Sequence, residues 1–262
     1  LDAGVLATRD PGRMGRYVRV RPSAVQVAGQ SVAFEEALLV ALGYCTGTEP
    51  VGWSIPRRGV GDPAAEAVRG DFAYRTYDAV RSHPGPRLEP IDVLVADGLN
   101  AQMRAKDIAG VLAVADQLTP ELERIDRDDV CFWELDRDAV VTEPTDVAKA
   151  WPVWRAWTVL MGVAGIDVAR CHKILHHKRP RVFPLLDNKT VSYLETDFTV
   201  WGAIHDDLTA TRDAWALLEA EVGEHLDRSE LPAPSRLRLH DILLCTSATG
   251  QFETARRYGA SA

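Results

Sequence analysis

The spacing of apolar and polar positions changes character along the chain. Near the N-terminus the period is two: Tyr17-Val18-Arg19-Val20-Arg21, then Val25-Gln26-Val27 ahead of Gly29, then Val32. Such alternation predicts a short β-hairpin or two edge strands within 17–32. From Phe34 to Tyr44 the period becomes helical, with Glu35 and Glu36 in the first turn, where the helix dipole favours acids. Residues 46–63 hold four glycines and three prolines and read as loop. A short helix is expected at 64–68, followed by the aromatic stretch Phe72–Asp78. Ser82–Pro90 (SHPGPRLEP) reads as a linker, and the main boundary is placed there.

Beyond Pro90 the pattern is helical almost throughout. Apolar residues recur at helical spacing in 91–100, 106–118, 148–161, 168–176, 188–194, 209–226 and 235–246. Thr119-Pro120 reads as a helix start, with Thr as N-cap and Pro at the first helical position. The expected architecture is mainly α: a helical domain at 90–262 with a small α+β appendage at 14–89. Residues 1–13, ahead of Met14, are expected to be a tail.

Charge enters next. Thirty basic against 38 acidic residues give a net charge of −8. A chain this acidic repels polyanions at long range. The charge is unevenly spread, however. Residues 168–190 (VARCHKILHHKRPRVFPLLDNKT) carry six cations against one acid, so this segment is +5 and the remainder −13. Such a segment is either a local anion site or a solvated basic face that offsets acidic neighbours. Any DNA, or a nucleotide-like ligand, is therefore expected at 168–190.

Several classes fall away. The four cysteines, Cys45, Cys131, Cys171 and Cys245, form no CxxC, which speaks against a zinc finger, a disulfide framework or a cysteine-ligated cluster. His172 and His176 are four apart, but no third ligand is evident, so no metal and no cofactor is expected. No apolar run is long enough to span a membrane and no signal peptide precedes the chain, so a cytoplasmic protein is expected. There is no P-loop and no GxGxxG. The oligomeric state is not legible.

The order of elements sharpens the basic segment. Val163-Ala164-Gly165-Ile166-Asp167 lies between two helical stretches and predicts a helix–hairpin–helix. The N-terminus of its second helix offers unpaired N–H groups to a phosphate. Pro180 and Pro184 end that helix, and Phe183-Pro184-Leu185-Leu186 delivers Asp187 to the start of the next. Asp187 is either an acid held for chemistry or simply the N-cap of that helix.

These residues resemble the helix-hairpin-helix DNA glycosylase superfamily, the group that includes endonuclease III. Its motif, roughly L-P-G-V-G-x-K-T-A followed by V-D-T-H, is similar to 163–171 and then to Leu186-Asp187-Asn188-Lys189. Residues 90–102 are similar to the helix that ends in L-S-A-Q, and 236–250 to the closing helix. Lys178–Asp187 (KRPRVFPLLD) also looks like the K-R-P-x-h-x-P-h-x-D pattern of an actinobacterial family of unassigned function.

The superfamily resemblance implies a catalytic Asp187 and a Gln102 that enters the gap left by a flipped base. It implies DNA contacts from the hairpin residues Gly165 and Ile166, with Lys173, Lys178, Arg179 and Lys189 expected to hold phosphates. Its lysine nucleophile falls on Ala169, so no Schiff base forms there. Its second hairpin glycine is Asp167. The activity implied is a monofunctional DNA glycosylase of the DNA-repair kind, in which an aspartate stabilises the cationic sugar and orients water. The base then needs a pocket. Trp154 and Trp157, on one helical stripe, and Tyr74 and Tyr77 are its candidate walls, or else core. Two alternatives remain: a non-catalytic nucleic-acid-binding module, and an N-glycosidase of small nucleosides or nucleotides.

Overall fold

A computed structural model describes residues 21–50, 69–72, 74–141, 151–194 and 200–261. The fold is mainly helical. A two-stranded antiparallel hairpin, β1 (Ala24–Val27) and β2 (Gln30–Ala33), turns at Ala28-Gly29 with both residues at positive φ. It leads directly into helix α1 (Phe34–Thr46). A second antiparallel pair joins β3 (Thr48–Pro50) to β4 (Arg69–Asp71), with Thr48 opposite Asp71. After a single π-type turn at Tyr74–Asp78 come α2 (Pro90–Val95), α3 (Ala105–Ala113), α4 (Ala115–Asp128) and α5 (Arg137–Val141). Then follow α6 (Pro152–Met161), α7 (Val168–Lys178), α8 (Asn188–Tyr193), α9 (Val200–Ala210), α10 (Arg212–Asp227), α11 (Arg236–Ala248) and α12 (Phe252–Gly259).

The hairpin forms at the position the alternation marks, but in Ala24–Ala33; residues 17–20 of the expected strands and the helix expected at 64–68 lie outside the described residues. Thr119-Pro120 does not start a helix. It lies inside α4, where Thr119 Oγ1 donates back to the Ala115 carbonyl at 3.0 Å. The apolar stripe of 106–118 breaks at Val114 into α3 and α4, and that of 209–226 contributes to two helices that meet at Thr211. The helix expected at 235–246 forms as α11, capped by Ser235, whose Oγ accepts from the Arg238 N–H. Helix α12 was not anticipated: its apolar residues are too few to show a stripe. Among the described residues no helix is long and apolar enough to cross a membrane.

Residues from both sides of Ser82–Pro90 contribute to one hydrophobic core, from Val25, Phe34 and Tyr44 to Leu118, Trp215 and Leu243. The closest packing is between α1 and α12. A Cβ on Gly43 would lie 1.8 Å from the Ala255 carbonyl oxygen, and a Cβ on Gly259 would lie 1.8 Å from the Leu39 carbonyl oxygen. Each glycine admits the other helix's backbone. Gly43→Ala or Gly259→Ala therefore forces the two helices apart. The expected loss is about 1–3 kcal/mol or more, measured by urea unfolding. A variant as stable as the parent would show that the two helices do not meet this closely.

Candidate functional site

The site is built on the hairpin between α6 and α7. Gly165 has φ of +90°, a conformation that costs glycine little. A Cβ there would also lie 2.4 Å from Asp107 Oδ1, so the turn abuts the start of α3. Asp107 is itself buried and bonded to the Arg104 guanidinium. Arg170, in the first turn of α7, ties the hairpin to a second turn. Its guanidinium donates to the carbonyls of Gly165 (2.5 Å), Ala101 (2.8 Å) and Gln102 (3.1 Å). Gln102 is exposed, at φ +51°, next to Asn100 at φ +60°. Gln102 and the hairpin thus form one braced unit, through an arginine that the sequence reading counted only as charge.

The helix N-terminus beside this turn is already occupied. Asp167 has an extended backbone and caps α7, its Oδ1 accepting the Arg170 N–H at 2.8 Å. One of the N–H groups expected to meet a phosphate, that of Arg170, meets this carboxylate instead. The Ile166 side chain is buried, and its N–H donates to the Val163 carbonyl.

The basic segment is largely committed to the protein's own acceptors. Lys173 is buried and donates to the Leu99 carbonyl at 2.7 Å, and desolvation lowers its ammonium below the usual lysine range. Lys178 is fully buried; it donates to Asp92 Oδ2 at 2.8 Å and to the His83 carbonyl at 3.0 Å. Asp92 also accepts the N–H groups of His83 and Glu89, which fold the Pro/Gly-rich segment onto α7. Burial opposes ionisation of Asp92, but the bonds from its partners outweigh it and hold the carboxyl well below the usual carboxylate range. Arg179 forks onto Asp126 with both Nε and Nη2. Lys178 and Arg179 were expected to face phosphate; pairing with acids, buried for Lys178 and partly exposed for Arg179, withdraws both of them. Lys189 differs: it is exposed and makes no ion pair among the described residues.

Asp187 lies where expected, at the end of a buried strut formed by Val182, Phe183, Leu185 and Leu186. It is the N-cap of α8. Oδ1 accepts the N–H groups of Lys189 and Thr190, each at 2.9 Å, and the Thr190 hydroxyl at 3.2 Å. Oδ2 has no bond among the described residues. Behind it stands Asp241 of α11, bonded to the Arg238 guanidinium, which also forks onto Asp78 with two 2.8 Å bonds. Burial raises the Asp241 carboxyl; Arg238 pulls the other way, and with Asp187 and Asp78 nearby the outcome is a rise to about 7. Sequence spacing gave no sign of Asp241.

The aromatic candidates separate. Trp154 donates its indole N–H to the Ala139 carbonyl and stacks on Trp201, with Trp157 edge-on beside it. Trp201 in turn donates to Nε2 of His172, whose Nδ1 donates to the Val168 carbonyl; burial pushes His172 down to about 4. This tryptophan stripe packs against the core. Tyr74 and Tyr77 are buried, bonded through their hydroxyls to the carbonyls of Pro232 and Lys173. They line a cleft of about 220 Å³ with Asp78, Arg81, His176 and Arg238, and Asp187 is not among its walls. Among the described residues no group of three His, Cys, Asp or Glu side chains is placed to hold a metal ion.

Two predictions follow from these pairings. Lys178→Met leaves Asp92 buried without its cation and should cost about 3–5 kcal/mol. Lys189→Ala should stay within about 0.5 kcal/mol; chemical denaturation of both variants compares them, and equal losses would overturn the assignment. Asp241 sets a pH dependence. Its folded pKa is raised, so its contribution is full below about 4, the unfolded value, and is lost as pH rises through about 7. Asp241→Asn removes that loss, so in the same denaturation assay the variant gains on the parent as pH rises from about 4 to about 7. A pH-independent difference between the two would refute it.

No curated protein and no solved structure matches the chain. A family model described as "Family of unknown function (DUF6308)" matches residues 63–248, a span that holds the hairpin, the strut, Asp187 and all of α11. The chain belongs to that family.

Proposed function

We propose that the protein hydrolyses N-glycosidic bonds through Asp187, in the manner of a monofunctional DNA glycosylase with a helix-hairpin-helix core. The observation that carries this reading is the division of labour within one carboxylate. Oδ1 is fixed by three bonds to the start of α8, while Oδ2 is left open. A charge held rigidly in this way is suited to a sugar that becomes cationic as its base departs, and to a water that attacks it. The exposed Gln102, braced to the hairpin through Arg170, supplies a side chain to fill a vacated stack. Ala169 leaves no amine for a Schiff base at the position the resemblance marks.

A second reading is favoured by the commitment of Lys178 and Arg179 to Asp92 and Asp126. With those cations withdrawn, little remains to follow a phosphate backbone, and a free nucleoside or nucleotide becomes the better substrate for the same aspartate. The two readings differ in salt dependence, since each phosphate neutralised contributes about 0.9 to the slope of log K against log salt.

Asp187→Asn separates chemistry from stability. Asn caps a helix as well as Asp, whereas Ala costs about 1 kcal/mol at such a position. Asp187→Asn should therefore keep the parent's unfolding midpoint and lose base release by about 100-fold or more. The assay offers damaged and mismatched duplexes in one arm and free nucleosides in the other. Release of base from neither, or release that survives Asp187→Asn, would overturn the proposal. Salt-sensitive duplex binding without release would support a binding module instead.

A further inference from the structure

The cleft beside Tyr74 and Tyr77 has its own chemistry, separate from Asp187. Its walls are flat and largely apolar: the two tyrosines, Val80, Pro180, Pro232 and Pro234. Its volume of about 220 Å³ exceeds the roughly 150 Å³ that suffices for a benzene ring. One ring with one or two substituents fits.

Most polar groups on the walls are already matched. Arg238 and Asp78 hold each other through two bonds. Ser235 Oγ donates to the Pro180 carbonyl, and Ser82 Oγ to the His83 carbonyl. Besides His177 Nδ1, which has no hydrogen bond and lies 3.6 Å from Asp92 Oδ1, two groups are open. His176 is 1% exposed, and its Nδ1 must carry the proton because it faces the Phe183 carbonyl at 2.7 Å. Its Nε2 is therefore an acceptor, and it has no partner. An unmatched buried acceptor of this kind is costly. The second open group is Arg81, exposed and without an ion pair among the described residues.

We infer that this cleft binds a small planar aromatic acid whose ring carries an O–H or N–H donor. The ring lies among the tyrosine and proline faces, the donor meets His176 Nε2, and the carboxylate meets Arg81. One open cation in the cleft, on a chain of net charge −8, suits a monoanion rather than a polyphosphate.

The test titrates the full chain with 2-, 3- and 4-hydroxybenzoate, following the imidazole ¹⁵N resonances by NMR and the heat of binding by calorimetry. At least one isomer should bind in the millimolar range or tighter and shift the Nε2 resonance of His176. Benzoate, which lacks the donor, should bind about tenfold more weakly, and Arg81→Glu should cost about tenfold in affinity for the hydroxybenzoate. Arg81 is exposed, so this variant spares the core. No binding by any isomer, binding unaffected by Arg81→Glu, or an unmoved His176 resonance would each overturn the inference.

Discussion

The buried pair of Lys178 and Asp92 is the constraint on which the rest of the arrangement hangs. Both side chains are removed from water, and such a pair is tolerable only when the remaining lone pairs and protons are also matched. Here they are. Asp92 takes two backbone N–H groups as well as the ammonium, and the ammonium takes the His83 carbonyl as well as the carboxylate. Satisfying this pair fixes the path of residues 83–92, seats α2 against α7, and sets the end of α7 from which the strut to Asp187 departs. A segment that composition marks as a linker becomes a structural clasp.

The same pairing changes the meaning of the charge distribution. Sequence alone places +5 on residues 168–190. Folding returns most of that charge to nearby acids and carbonyls: Lys178 to Asp92, Arg179 to Asp126, and Arg170 and Lys173 to backbone oxygens. Concentrated positive charge along a chain is therefore no measure of the field at the surface. The partners lie 53 and 86 residues away, and no local pattern announces them.

What was legible follows the same logic. Local signals were legible: the hairpin at Gly29, the α1 stripe and the strut that ends at Asp187 all depend on a few neighbouring residues. Long-range ones were not. The Gly43–Gly259 crossing needs two helices to meet, and α12 carries too few apolar residues to be seen. Thr119-Pro120 imitates a helix start, yet Ala115 begins the helix a turn earlier. Arg238, Asp241 and Asp78 become a network only once α11 lies against the Tyr74–Asp78 turn.

Under the proposed function, Asp187 combines a structural and a chemical role in one side chain. Capping alone needs a single oxygen, and many residues supply it. A carboxylate adds a second oxygen and a charge that the start of a helix favours. Here the buried strut fixes the backbone, α8 fixes Oδ1, and the neighbouring Asp241 is raised to about 7. Burial draws Asp241 toward its protonated form, whereas Asp187 is half-buried and spends Oδ1 on two N–H groups of α8. On that proposal one geometry serves both roles, and the oxygen that the helix does not need is the one offered to a substrate.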